Sequence, residues 1–310
     1  MTEKISPTND LAFKKVFASE KDKDVLAGLV NDFYGYRLTA AEIELRNPYS
    51  IEAYREFLRD NSGADIAKLR QTARDITAVL KPQNADFTAE LQIRPECHFL
   101  PRSLYYPCDL FCDGYNQFPQ PNAAGKIDRY ASLRPVLSLN ITKFNLFPDD
   151  DEAWRIFELY DVRHQRHFPQ NYLRIAYFEL RKKNFANDNQ RYWRDYFLSG
   201  AAAETAPEYI HHAARLLEAA NFTEEERKMV SLEEKAIATY DAEMYYAYAD
   251  GEAKGEARGE ARGIAEGIAK GEAKREAAMI LGMLSRGHSP QAVADFTGIP
   301  LARIEQVIIH

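Results

Sequence analysis

The strongest constraint on the fold is a series of strand-like segments separated by helical stretches. The clearest segment reads DFTAELQIRP at 86–95, where apolar residues at 87, 89, 91 and 93 alternate with polar ones. Because successive side chains of a strand point to opposite faces, one face is apolar and the other carries Glu90, Gln92 and Arg94. Further strand-like segments lie at 42–46, 75–80, 135–141 and 173–180. Strands that alternate with helices predict an α/β layered core.

Helical patterns occupy the other regular parts of the first two thirds of the chain. A short amphipathic helix follows the turn SPTND, where Thr8 or Asn9 is the expected cap. A second helix is predicted over 22–34, and an aromatic-rich helix over 101–115 is expected to pack on the sheet. The α/β core is predicted to end near residue 195, within a domain that spans 1–200.

The rest of the chain is predicted to be helical. Capping-box patterns begin at Thr223 and Ser231, within a helical extension over 201–250. A Gly/Ala-repeat helix over 251–277 and a small tail over 278–310 follow. In the tail, Ser289 with Pro290 starts one short helix and Gly298 ends it, and a second short helix follows. The tail as a whole resembles a degenerate helix-turn-helix. Because the second tail helix has no basic cluster, we interpret the tail as a packing or interaction unit.

The charge balance limits the classes of partner. The formal net charge is −7, so no global basic field attracts nucleic acid or acidic lipid, and DNA contacts require a local basic patch. No hydrophobic run is long enough to cross a bilayer, and the N-terminal segment lacks the apolar core of a signal peptide. Three cysteines, an odd number, favour reduced thiols. We therefore expect a soluble cytoplasmic protein with no membrane partner.

A pair of carboxylates is the main candidate for chemistry. Asp75 starts one predicted strand and Glu90 lies on the next, so strand pairing would bring both into one cleft. Together with the Leu91 carbonyl, they are suitable hard-oxygen ligands for Mg²⁺, which activates water and stabilises charge on a phosphodiester. The residue two positions after the second acid, Gln92, would hold the water or the phosphate. The alternative is a solvated strand face, with Glu90 paired to a basic residue on a neighbouring strand.

A set of ordered motifs accompanies these acids. The motifs are PTNDLAFKKVF at 7–17, NPYSIEAYRE at 47–56, RQTARDITA at 70–78, FTAELQIRP at 87–95, RSLYYPCDLF at 102–111, SLRPVLSLNITKFNLF at 132–147, RIFELYD at 155–161 and IAYFELRKK at 175–183. In this order they resemble the recombination-promoting nucleases, also described as PD-(D/E)XK nuclease family transposases. The similarity covers about residues 7–196, and the Gly-repeat tail is also typical of such proteins.

The resemblance implies a restriction-endonuclease-like α/β core with a mixed sheet flanked by helices. It also implies Mg²⁺-dependent DNA cleavage, with Mn²⁺ as a substitute ion. Carried over by position, Asp75 is the first acid, Glu90 is the second, and Gln92 occupies the position that is lysine in the broader superfamily. A glutamine amide can orient water or phosphate, but it supplies no charge and cannot act as a base. Arg94 or Arg102 could supply the missing cation.

Further candidate residues have structural alternatives. Asp10, in the PTND motif, could join the site, but an acid in the first turn of a helix is also favourable against the helix dipole. Cys97 with His98, Cys108 and Cys112 match no standard zinc spacing. We expect these cysteines to be buried free thiols.

A local basic surface is predicted over 163–194. The DNA-contact candidates are Arg181, Lys182, Lys183, Arg191 and Arg194, because phosphate contacts dominate the affinity of nucleases. A solvated charged face is the alternative. The neighbouring aromatic residues at 192, 193 and 196 are expected in the core, and the histidines at 164 and 167 in an exposed loop.

The most regular segment is a glycine ladder, in which Gly recurs every four residues from Gly251 to Gly271 and Ala recurs in step. Each glycine costs a helix about 1 kcal/mol relative to alanine. The ladder could be a flexible tether. Alternatively, its small residues could let a second copy approach closely, with acidic and basic ridges in opposition. We favour a soluble homodimerising helix over 251–277.

Two functions from different classes remain. The first is a metal-dependent DNA endonuclease that uses Asp75, Glu90 and Gln92. The second is a catalytically inactive protein that keeps the nuclease fold as a DNA-associated or oligomerising module. Both acids favour the first function, whereas Gln92 and the negative net charge favour the second.

Overall fold

The computed structural model describes residues 4–52, 55, 76–117, 120–121 and 124–309. Its main feature is a six-stranded sheet. The strands are β1 (Ile43–Leu45), β2 (Ile76–Leu80), β3 (Ala85–Gln92), β4 (Val136–Thr142), β5 (Trp154–Glu158) and β6 (Leu173–Glu179). Their order across the sheet is β1-β2-β3-β4-β6-β5. The central pairs β3–β4 and β4–β6 are parallel, whereas the outer pairs are antiparallel, so the sheet is mixed as predicted.

The described residues form eight α-helices. They are α1 (Asp10–Phe17), α2 (Lys23–Tyr34), α3 (Phe99–Gln117), α4 (Asp188–Ser199), α5 (Glu208–Leu216), α6 (Glu224–Ser285), α7 (Pro290–Thr297) and α8 (Leu301–Ile309). Short 3₁₀ turns lie at Ala40–Glu42, Tyr130–Ser132 and Ala219–Asn221. Two small two-stranded sheets pair Gln120–Pro121 with Ile127–Asp128 and Tyr160–Asp161 with Arg166–His167. No helix of the described part of the chain is long and apolar enough to cross a membrane.

The main core lies on the apolar face of the sheet. Alternate residues of the central strands, such as Phe87, Leu139 and Phe178, are fully buried there. They share one cluster with apolar side chains of α1, α2, α4 and α5. Trp193 and Tyr196 of α4 belong to this cluster, as expected. The other alternate residues of the same strands therefore face the opposite side, which α3 covers.

Local sequence signals explain where the helices begin and end. The Asn9 side chain accepts a hydrogen bond from the Ala12 amide and caps α1. Gly35, with a φ of 70°, ends α2 in the left-handed conformation that favours glycine. Glycine is also required where α2 meets α5, because a Cβ on Gly28 would lie 2.3 Å from Cδ2 of Tyr209.

Most predicted elements are confirmed. The five predicted strands correspond to β1–β4 and β6, and the predicted helix over 101–115 corresponds to α3. The edge strand β5 was not predicted. Its Ile156 and Phe157 are adjacent in sequence and are both exposed, so β5 lacks the alternation of a half-buried strand.

The first compact unit is Met1–Ala238. It extends past the expected boundary at 200, because Ile210 and Ala213 of α5 are buried in the main core. The capping box at Thr223 is confirmed, since the Thr223 hydroxyl accepts from the Glu226 amide and the Glu226 carboxylate accepts from the Thr223 amide. The similar pattern at Ser231 starts no helix, because it lies inside α6.

The second unit is Thr239–His310. The glycine ladder lies within α6, and no side chain or distant backbone of the described residues lies within 4 Å of a Cβ built on any of its six glycines. Beyond the ladder, Ile280, Val293 and Ile304 form a small core among α6, α7 and α8. Ser289 caps α7 and Gly298 ends it, as predicted. The division of residues 201–310 into three segments stays a prediction.

Candidate active site

The polar face of β3 and β4 carries the candidate site. On β3, Thr88, Glu90 and Gln92 point away from the main core. In register with them on β4 are Ser138, Asn140 and Thr142. Helix α3 covers this face, and the Ser103 hydroxyl lies 2.6 Å from the Tyr177 hydroxyl of β6. The sheet thus places a row of oxygen-bearing side chains beneath a helix.

Glu90 is buried in this layer. It retains 6% of its exposed surface, and its register partner Asn140 retains none. The solvated strand face of the alternative is therefore wrong for Glu90, and its pairing with a basic residue stays a prediction. A carboxylate is costly to bury unless a hydrogen bond, a cation or a metal compensates it. Its burial therefore indicates a charge-compensated position.

Asp75 lies outside the described residues. Ile76, the first residue of β2, pairs with Ala89, and Glu90 is the next residue of β3. The two strands pair as expected, and the pairing is antiparallel. The approach of Asp75 to Glu90 stays a prediction, as does metal binding by the Leu91 carbonyl.

A second acid on the same face of β3 has a structural explanation. Asp86 lies four residues before Glu90 and is 2% exposed. Its carboxylate oxygen Oδ1 lies 2.6 Å from Nη2 of Arg46 and 3.5 Å from Nη2 of Arg134. Two guanidinium groups therefore balance its charge at the end of β3 remote from Gln92.

Gln92 is held in a polar network. Its Oε1 accepts a hydrogen bond of 2.6 Å from Nη2 of Arg102, which lies on α3. Its Nε2 donates to the Arg94 carbonyl and to Oε1 of Glu96. Glu96 also accepts a 2.6 Å hydrogen bond from Nη1 of Arg102. Arg102 and Glu96 thus fix the orientation of the Gln92 amide.

Of the two arginines considered for the missing cation, Arg102 is the one whose guanidinium contacts Gln92. The Arg94 guanidinium donates to the backbone carbonyl of Ile237 on α6, 2.8 Å away. Gln92 and Arg102 are ten residues apart in the sequence, and no local pattern indicated their contact. The role of Glu96, which lies on a turn before α3, was not anticipated either.

The PTND motif has a structural role. The Asn9 side chain donates to Oε2 of Glu233 on α6 at 2.7 Å, and the Asp10 backbone amide donates to Oε1 of the same residue. The Asp10 carboxylate lies 3.4 Å from the Lys14 ammonium, one turn along α1. Asp10 is therefore a first-turn acid of α1, the alternative given above. The partner Glu233 was not anticipated.

A family model described as PD-(D/E)XK nuclease family transposase matches residues 7–249. The chain belongs to this family. No curated protein and no solved structure shows significant similarity to this chain. The mixed sheet flanked by helices is the α/β core expected of a PD-(D/E)XK protein.

PD-(D/E)XK nucleases generally use divalent metals, which bind oxygen ligands such as carboxylates. Among the described residues, no three His, Cys, Asp or Glu side chains are grouped as metal ligands. Two residues beside Glu90 on the same face of the sheet carry neutral oxygens. Thr88 Oγ1 and Asn140 Oδ1 are buried and have no hydrogen-bond partner in the described part of the chain. Hard oxygen donors of this kind fit Mg²⁺ or Mn²⁺.

The cysteines of this PD-(D/E)XK protein are free thiols, as expected. The expectation that they are buried is wrong for Cys97 and Cys112, which are exposed. Cys112 lies one turn after Cys108 on α3, on the side of the helix away from the sheet.

One DNA-contact candidate needs correction. Lys182 is buried, and its ammonium lies 3.3 Å from the Glu179 carboxylate. It also donates to the backbone carbonyls of Phe147 and Asp150. Lys182 therefore holds the loop after β4 and is not available to a phosphate. In the same loop, a hydrogen bond from Arg155 lowers the pKa of Asp150 to about 2.

The other four basic candidates divide between two layers of the family core. Arg181 and Lys183 are exposed, directly after β6, and neither side chain forms an ion pair with a described residue. Arg191 and Arg194 lie on α4, which packs on the apolar face of the sheet. They pair locally with Asp188 and Asp195. Arg181 and Lys183 thus follow the same strand ends as Gln92, whereas the α4 pair lies in the opposite layer.

Proposed function

We propose that this member of the PD-(D/E)XK nuclease family transposases is a metal-dependent DNA endonuclease. The observation that supports it best is the buried carboxylate of Glu90, beside two neutral oxygens and two residues before Gln92. Asp75, Glu90 and the Leu91 carbonyl would hold Mg²⁺, or Mn²⁺ as a substitute. When bound, the ion activates a water molecule and stabilises negative charge on the phosphodiester.

In this proposal the protein's own groups orient the attacking water and the phosphate. The Arg102 guanidinium holds Oε1 of Gln92, so the amide NH₂ is the group that can donate to substrate. Its present acceptors are the Arg94 carbonyl and Glu96. A phosphate oxygen would replace Glu96 as acceptor. Arg102 would then supply, from α3, the positive charge that glutamine lacks.

DNA is the proposed substrate and partner. Arg181 and Lys183 would contact its backbone, because they follow the strand ends at which Gln92 also lies. Arg191 and Arg194 stay candidates for contacts outside the cleft. The free state of all three cysteines supports a reducing, cytoplasmic location.

A homodimer through 251–277 is also proposed, because the glycine ladder lies within α6 and no side chain or distant backbone of the described residues covers its glycines. A four-residue repeat advances about 40° around a helix per step, since each residue turns about 100°. One straight partner therefore cannot face all six glycines. Two copies would cross at about −50°, with contact through a few glycines near the crossing. Light scattering of the full chain and of a chain ending at residue 239 tests this, and an identical oligomeric state contradicts it.

The decisive experiment for the nuclease is cleavage of supercoiled plasmid at low salt, with Mg²⁺ or with EDTA. We expect nicking or linearisation that needs the metal and is lost in Asp75→Asn and Glu90→Gln. Glu44→Gln, an exposed acid on the edge strand β1, is the matched control and should cleave as the native chain does. Cleavage that survives Glu90→Gln would contradict the assignment of the site.

The second candidate function is an inactive nuclease-fold module that binds DNA or oligomerises. The full engagement of the Gln92 amide with Glu96, Arg94 and Arg102 favours it. Absence of cleavage by the folded native chain with either Mg²⁺ or Mn²⁺, together with retained DNA binding, would support this function over the nuclease.

A further inference from the structure

Asn140 lies beside Glu90 on the polar face of the sheet. It is the register partner of Glu90 on one side and of Tyr177 on the other. Neighbouring strands lie about 4.8 Å apart, so the Cβ atoms of the register partners Asn140 and Glu90 are neighbours. Asn140 is completely buried, and no role in the family site was predicted for it.

The hydrogen bonds of Asn140 determine which way its amide points. Nδ2 donates to the Ala176 carbonyl at 3.1 Å and contacts Oγ of Ser138 at 3.3 Å. A backbone carbonyl can only accept, so the nitrogen must be the atom that faces Ala176 on β6. The oxygen Oδ1 is on the opposite branch of the amide. It is therefore directed away from β6, on the side of β3 and Glu90.

Oδ1 of Asn140 has no hydrogen-bond partner in the described part of the chain. Thr88, two residues before Glu90 on β3, likewise has a buried hydroxyl oxygen without a partner there. Buried polar atoms without partners are rare in folded proteins, and each calls for an explanation. Here two such oxygens flank one carboxylate, on the same strand and on the next strand.

We infer that Oδ1 of Asn140 is an additional oxygen ligand for a divalent cation held at Glu90. This inference rests on the proposed function, because it concerns the same cation. An amide oxygen is a hard, neutral donor suited to Mg²⁺ and Mn²⁺, and it adds no charge repulsion to a site that already has carboxylates. It also explains why an asparagine is buried in the middle of a central strand.

The first test uses the unsubstituted full-length chain and Mn²⁺ alone. A paramagnetic ion broadens the NMR signals of nearby nuclei, so substoichiometric Mn²⁺ should broaden the side-chain NH₂ signal of Asn140. The matched reference is the side-chain NH₂ signal of Asn84, which is exposed in the turn before β3, about 20 Å along the strand from Glu90. Equal broadening of the two signals, or none at Asn140, would overturn the inference.

The second test compares Mn²⁺ affinities, measured from free Mn²⁺ by electron paramagnetic resonance. Asn140→Asp replaces the amide oxygen by a carboxylate oxygen and should bind Mn²⁺ several-fold more tightly. Asn140→Leu should bind about tenfold more weakly. Asn84→Asp adds the same charge at the other end of β3 and should match the native chain. Circular dichroism confirms that each variant is folded.

The outcomes separate this inference from the proposed function. If Glu90→Gln abolishes Mn²⁺ binding but Asn140→Asp and Asn140→Leu both bind as the native chain does, Asn140 has only a structural role. If Glu90→Gln binds Mn²⁺ as tightly as the native chain, the metal site of the proposed nuclease fails as well. Tighter binding in Asn140→Asp but not in Asn84→Asp supports both.

Discussion

Removal of the Arg102 guanidinium should impair cleavage through Gln92. The substitution Arg102→Met keeps an unbranched side chain on α3 but deletes the 2.6 Å hydrogen bond to Oε1 of Gln92. It also deletes one of the hydrogen bonds that Glu96 accepts. Without Arg102, Oε1 of Gln92 loses this donor, and the amide is held through its NH₂ by the Arg94 carbonyl and Glu96.

The magnitude follows from the type of hydrogen bond. Hydrogen bonds to charged groups are worth about 1.5–3 kcal/mol. The Arg102 side chain is 14% exposed, so solvent weakens this bond little. If that energy serves to orient Gln92 in the transition state, kcat/KM should fall about 10- to 150-fold, at 1.36 kcal/mol per factor of ten.

The assay is metal-dependent nicking of supercoiled plasmid, with initial rates measured over a range of DNA concentrations. Arg215→Met is the matched control, because it removes the same side chain from an exposed position of α5. It should retain the native rate. Arg102→Lys should recover only part of the lost activity, because an ammonium lacks the planar fork that reaches both Gln92 and Glu96.

Two results would refute this reasoning. A folded Arg102→Met variant with kcat/KM within twofold of the native value would show that the orientation of Gln92 does not limit cleavage. A loss of similar size in Arg215→Met would indicate a general charge effect on DNA binding. Gln92→Ala should be as impaired as Arg102→Met if both act through the same amide.

Three further predictions concern stability and DNA binding. Gly28→Ala should lower the free energy of unfolding by about 1–3 kcal/mol, because the added Cβ has no room against the Tyr209 ring that packs on α2. Gly255→Ala should instead raise the stability of the helix by up to about 1 kcal/mol. Thermal unfolding measures both changes. Asp150 has its pKa lowered from 3.8 to about 2 on folding, so it contributes stability that is lost as the pH falls through this window, and the stability difference between the native chain and Asp150→Asn should shrink from pH 5 to pH 2 in urea titrations. Neutralising Arg181 and Lys183 together should weaken duplex binding and reduce the slope of log K against log salt by about 2, as measured by fluorescence anisotropy.

Each of these predictions has a contrary result. Equal melting temperatures for the native chain and Gly28→Ala would mean that α2 and α5 separate easily. A constant stability difference for Asp150→Asn across the acid range would contradict the shifted pKa. An unchanged salt slope for the Arg181 and Lys183 variant, with a reduced slope for Arg191→Gln, would place DNA on the α4 side of the sheet.

Local patterns in the sequence determined the elements and much of the candidate site. The alternation around Glu90 defined β3 and its two faces, because a strand has a side-chain period of two. The caps at Asn9, Thr223 and Ser289 were readable because a cap involves residues only three apart. The same locality explains the one misplaced cap, since the pattern at Ser231 does not reveal that the helix has already begun.

Tertiary structure alone decided which side chains are close and which are available. Arg102 meets Gln92 because α3 folds back over the sheet, and Asn140 meets Glu90 because β4 pairs with β3 in one particular register. Lys182 has the positive charge expected of a DNA contact, but its ammonium pairs with the buried carboxylate of Glu179 inside the protein. Sequence periodicity fixes the direction of a side chain relative to its own element. The partner across the sheet depends on strand order and register, which long-range packing sets.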